Sequence, residues 1–139
     1  MALIDVRSYF RTRLETLGFV EWRSEFNVEN IPRTILTKSY HIESGVIAPT
    51  ASNHQVHEFN CPIIIRVFLK GYLDPASAID DAYISAQSIL SAILPPAQRL
   101  NATINDVVPT SIAVNPLNDA NDNSVILEIE FSAKTFIRY

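Results

Sequence analysis

The chain has 139 residues, of which 47% are hydrophobic and 19% charged, and its formal net charge is −4. This is one domain, long enough for a two-layer core without covalent staples. A single cysteine, Cys61, excludes a disulfide framework and a cysteine metal cluster, and no apolar stretch approaches the ~20 residues that span a bilayer.

Leu3, Val6, Phe10, Leu14 and Leu17 recur at helical spacing, with Asp5, Arg7, Arg11, Thr12, Glu15 and Thr16 on the other side. That pattern predicts an amphipathic first helix. The same mixture of Asp5 and three arginines within Met1 to Arg13 is not that of a signal peptide, so folding in a reducing cytoplasm is expected. Gly18 stands where a left-handed helix-ending residue belongs. Phe19, Val20 and Trp22 form a short strand or pack over the helix end, and Asn30-Ile31-Pro32 breaks the chain.

Thr34 to Glu43 alternates, with Leu36, Tyr40 and Ile42 against Thr37, Ser39 and His41, and reads as a strand pairing with the next. Residues 44–55, SGVIAPTASNHQ, read as a long flexible hairpin loop containing Ser44, Gly45, Pro49, Asn53 and His54. Its length exceeds the usual hairpin connection, which suits either an arm ordered by a partner or a plain surface loop.

Val56 to Tyr72 is a strand with two unlike faces. Phe59, Cys61, Ile63, Ile65, Val67 and Leu69 form an apolar face, while Asn60, Pro62, Ile64, Arg66, Phe68 and Lys70 mix apolar groups with cations. Something must cover Ile64 and Phe68, either a helix of the same chain or a neighbouring subunit. Asp74-Pro75 is a well-specified helix start, with the Asp at the cap and the Pro in the first turn. Ile79, Ala82, Tyr83, Ala86, Ile89, Leu90 and Ile93 make the expected buried stripe, and Pro95-Pro96 ends it. This second helix is expected over the Phe59 to Leu69 face, and the first helix is a candidate to cover part of the other. Thr103 to Asn115 reads as a strand with Pro109 at an edge or bulge. Asn115 to Asn123 is a turn-rich acidic link. Val125 to Tyr139 alternates cleanly, with Val125, Leu127, Ile129, Phe131, Ala133 and Ile137 inward. The order is α-β-β-α-β-β, an α+β fold with a mostly antiparallel sheet and two helices.

The residues offer little chemistry. Cys61 lies on the core face, where a thiol is inert. His41, His54, His57 and Glu58 do not complete a zinc ligand set. Asp80 and Asp81 adjoin on a helix and point apart. Asp119, Asn121, Asn123 and Glu130 match positions of an EF-hand loop, but Ser124 replaces its glycine and extended geometry carries Glu130 away. Gly18, Gly45 and Gly71 are too scattered for a phosphate loop. No enzyme activity and no cofactor or metal are expected. From Gly71 to Glu130 eight acids face only Arg99, a bias that disfavours gripping nucleic acid.

The stretch from Cys61 to Leu94, followed by NPLNDANDNSVILEIEFSAKTFIRY, resembles the tail terminator (tail completion, or minor tail) proteins of long-tailed bacteriophages. The resemblance runs over nearly the whole chain: length, a helix before a hairpin with a long loop, a second helix and a long closing strand. It implies a virion subunit of the tail or neck, assembled in the host cytoplasm, that caps the tail tube as a ring, usually a hexamer. Such a ring ends tube polymerisation and presents the head-joining surface. The implied partners are copies of itself, the tail tube protein and a head-completion protein, with DNA passing unbound and no membrane. Assembly would order the 44–55 loop, and Asp80, Asp81, Asp119 and Asp122 are candidates to line the lumen. Ile64, Arg66 and Phe68 are candidates for one subunit patch, with Arg7 and Arg11 for the other. The alternatives are another neck or tube subunit of similar fold, or a small ligand-binding α+β domain using Tyr40, His41, His57 and Tyr83.

Overall fold

The computed structural model describes residues 3–22, 39–52, 56–72, 74–94, 104–119 and 122–138. Helix α1 (Leu3–Thr16) leads to β1 (Val20–Glu21), β2 (Ser39–Ser44), β3 (Ala48–Ser52) and β4 (Val56–Tyr72). Helix α2 (Pro75–Ile93), β5 (Ile104–Asp119) and β6 (Asp122–Arg138) follow. The six strands form one sheet in the order β1-β2-β4-β6-β5, with β3 also against β4. Among the described residues only the β1–β2 pair is parallel. The expected α+β class holds, with two strands more than the sequence pattern supplied.

Local signals act as the sequence dictates. Gly18 has φ 91, the left-handed turn that ends α1. The Asp74 carboxylate accepts from the Ser77 amide at 2.7 Å and from its hydroxyl at 3.0 Å, capping α2. These bonds, the amide first, hold the Asp74 carboxyl below its ordinary value. Pro95 and Pro96 lie outside the described residues.

The core lies between one sheet face and both helices. Cys61, Ile63, Ile65, Val67 and Leu69 of β4 join Val125, Leu127, Ile129, Phe131 and Ala133 of β6 in one buried cluster. Ala78, Ala82, Ala86, Ile89 and Ile93 of α2 pack on it, so three small side chains let the helix approach closely. Tyr83, expected in this stripe, is 60% exposed; the buried line runs one residue earlier, through Ala78 and Ala82. Helix α1 packs on the same face. Its Phe10 ring sits 5.3 Å from Phe131, and Tyr9 donates a 2.6 Å hydrogen bond to the Ile93 carbonyl at the end of α2. The expectation that α1 could cover the second face of β4 is therefore corrected, because Tyr9, Phe10 and Leu14 find their apolar partners beside α2.

Within the expected 44–55 loop, Ser44 and Ala48–Ser52 are strand. Ser44 ends β2, Pro49 lies in β3, and Ala48, Pro49, Ala51 and Ser52 pair with Asn60 to His57 of β4. Asn53 and His54 lie outside the described residues. Pro62 explains why β2 and β3 are separate. Its carbonyl accepts from the Gly45 amide at 2.9 Å, so residue 62 faces this edge of β4, yet it has no N–H to give. The ladder breaks there and Gly45 crosses it. A Cβ on Gly45 would meet the Pro62 Cβ at 3.1 Å, so glycine suits the crossing. The described part of the acidic link is likewise strand, since β5 and β6 pair up to Asp119 opposite Asp122.

Candidate functional site

The alternation of β4 and β6 sends a second set of side chains to the face that neither described helix covers. Cross-strand register aligns Glu43, Ile64 and Glu130 in one row and His41, Arg66 and Glu128 in the next. Arg66 binds both carboxylates: its Nε donates to Glu128 at 3.2 Å, and its Nη1 pairs with Glu43. The hydrogen bond from Arg66 lowers the Glu43 carboxyl below its ordinary range. Arg66 keeps 26% of its side-chain exposure, so the triad is a solvated clamp across three strands rather than a catalytic group. Well along the same face, about 20 Å from Arg66 at the strand rise, the Ser132 hydroxyl donates to Asn60.

The residues expected to form one subunit patch are thus differently placed. Ile64 is half-buried and Arg66 is tied to two carboxylates. Phe68 is 1% exposed, which corrects its expected role as a contact offered to a neighbour. It is buried within the chain and yet belongs to no part of the helix-side core. Arg7 and Arg11, expected on the opposing patch, both pair with Glu21 of β1, whose side chain is 4% exposed; the Arg11 contact is 3.2 Å. They neutralise a buried carboxylate that sequence spacing could not connect to them. Arg11 also reaches Glu15 at 3.2 Å.

Other expected constellations come apart. Tyr40 points into the helix-side core, His41 to the opposite face, and Tyr83 to solvent on α2, so they line no common cavity. Burial, with Glu15 nearby, pushes the Tyr40 phenol up to about 12, so it stays a neutral core group. The His41 Nδ1 bonds the Trp22 carbonyl at 2.9 Å. His41 also lies opposite Arg66, roughly 30 Å along β4 from His57 at the strand rise of extended chain. Glu130 sits mid-strand between Ile64 and Ser111, far from the Asp119–Asp122 tip, which removes the calcium-loop geometry. Among the described residues no cluster of three metal-ligating side chains forms. Burial raises the Cys61 thiol. Asp80 and Asp81 lie in α2, while Asp119 and Asp122 close the β5–β6 hairpin at the end of the sheet where β4 passes into α2.

No protein-family model matches the chain, and no curated protein matches it. Among solved structures, a chain from the virion of a native gene transfer agent particle is similar over 98% of this chain and 96% of its own. The identity is 13% and the TM-score 0.59, a likeness of fold from end to end.

Proposed function

We propose that this chain is a structural virion protein, a tail terminator that caps the tube of a phage-like particle. The observation that carries this reading is the end-to-end fold likeness to a chain of a gene transfer agent virion. The site chemistry is compatible. Arg7, Arg11 and Arg66 hold Glu21, Glu43 and Glu128, and the lone thiol is buried. Such a fold offers surfaces rather than a reaction centre.

In this reading the subunits form a ring, a hexamer, on the last ring of tube protein. Once seated, the ring covers the surface to which the next tube ring would add and leaves a different surface for the head-completion protein. In this reading Asp80 and Asp81 of α2 and Asp119 and Asp122 of the β5–β6 hairpin face the lumen of the ring. A lumen lined that way repels the DNA backbone and lets it pass. The test is addition of the purified protein to tubes growing from their subunit. A terminator halts extension at substoichiometric amounts and leaves a cap visible by electron microscopy. Continued lengthening with the protein incorporated would identify a tube subunit and overturn the terminator role.

A further inference from the structure

We infer that copies of this chain join edge to edge, with the Thr110–Asn115 segment of β5 pairing against the Val46–Ser52 segment of the next copy. Among the described residues β5 pairs on one side only, with β6, and β3 pairs on one side only, with β4. A strand paired on one side presents a row of unused N–H and C=O groups, a template for another strand. The two edges lie on opposite sides of one sheet. Both carry exposed apolar groups. Val108 and Ile112 of β5 are each 46% exposed, and in the β2–β3 crossing Val46 is 84% and Ile47 39% exposed.

Charge favours a second copy as the occupant. Val107 to Leu117 has no Asp, Glu, Lys or Arg, and neither has Gly45 to His57. A solitary edge is commonly guarded by charged side chains, by proline or by a bulge. Both strips lack the charge, while Pro49 and Pro109, each beside a register shift, shorten the run of free N–H groups on either strip without charging it. A nucleic acid would find no cation there, whereas two neutral strips meet without burying an unpaired charge. Proline sets the limits of the contact. Pro109 and Pro116 bracket Thr110–Asn115, the stretch of β5 that keeps every backbone N–H, and a register shift beside Pro109 ends the regular edge. The contact is heterologous, since each copy uses two different edges, and such contacts close into rings when the rotation permits. Closure rests on the terminator reading above; the pairing of the two edges does not.

The test uses Val46→Cys and Ile112→Cys, singly, mixed and combined, with a short bis-maleimide linker. Cys61 is 2% exposed and does not compete. Each variant is first checked for a wild-type circular dichroism melt, and labelling is run at high protein concentration and again on capped tubes. Crosslinked dimers in the mixture, a ladder from the double variant, and loss of both on adding Ser111→Lys support the pairing. Absence of the Val46–Ile112 crosslink in both settings overturns it, as does equal crosslinking between two Ile112→Cys copies. If tubes are capped without the crosslink, the edge contact falls and the terminator role stands. If the crosslink forms but tubes keep growing, the terminator role falls and the edge contact stands.

Discussion

Replacing Phe10 with Ala tests whether α1 and α2 share one face of the sheet. The ring is fully buried, lies 5.3 Å from Phe131 in a tilted arrangement, and meets Tyr9 edge-on at 5.5 Å. Losing a buried Phe side chain costs about 3–5 kcal/mol, because the cavity collapses only partly. With about 2.1 cal/mol/K of unfolding entropy per residue over 139 residues, Tm should fall by about 10–17 °C. The sharper measurement is a double-mutant cycle with Phe131→Ala, read by urea unfolding. Aromatic pairs in contact couple by about 0.5–1.5 kcal/mol, so the double variant should lose less than the sum of the singles. The same cycle between Phe10→Ala and Phe68→Leu should be additive, because Phe68 lies on the other face of β4. Additivity with Phe131 together with coupling to Phe68 would refute the placement of α1.

Three further outcomes follow from local geometry. Ala82→Leu inserts three carbons into a fully buried helix–sheet contact and should cost about 1–3 kcal/mol in urea unfolding; a neutral result would mean that α2 stands off the sheet. Asp74→Ala should lower Tm at neutral pH and leave the helix content of the folded state unchanged. The folded-state carboxyl titrates below its ordinary value of 3.8, so its contribution is present above that value and is lost as pH falls through the lower, folded-state one. The Tm difference between Asp74→Ala and the parent should therefore shrink under acid, and a constant difference would sink the cap. The Cys61 thiol should react with a thiol reagent at the rate of unfolding rather than of free solution, since it is buried with its pKa raised.

What could be read from the sequence, and what could not, divides by the range of the interaction. Asp74-Pro75 and Gly18 act through backbone geometry within a turn, so their roles are visible in a short window. The alternation of Phe59 to Leu69 and of Val125 to Ala133 is equally local, and both strands form with the expected faces inward. Strand β3 is different. Ala48-Pro49-Thr50-Ala51-Ser52 has weak strand propensity and reads as loop. It is extended because β4 runs for 17 residues while β2 pairs along only part of it, Ile63 to Phe68. The remaining length of β4 supplies the partner, a fact held by no residue of β3.

The charged residues show the same limit more strongly. Arg7 and Arg11 share a helix face, which in isolation reads as a surface for an acidic partner. That partner is within the chain: β1 lies parallel to β2 and sets Glu21 beside Tyr40, on the side facing α1. A buried carboxylate left alone costs several kcal/mol, so two guanidiniums are needed there before any are available to a ligand. Arg66 is held likewise by Glu43 and Glu128, from strands on either side of its own. Ion pairing within the chain thus occupies the cations that looked like interface. Among the described residues, the Thr110–Asn115 stretch of β5 and the outer side of β3 leave backbone unpaired on strips without Asp, Glu, Lys or Arg, and contact between copies is most economically built from groups that nothing inside the subunit already uses.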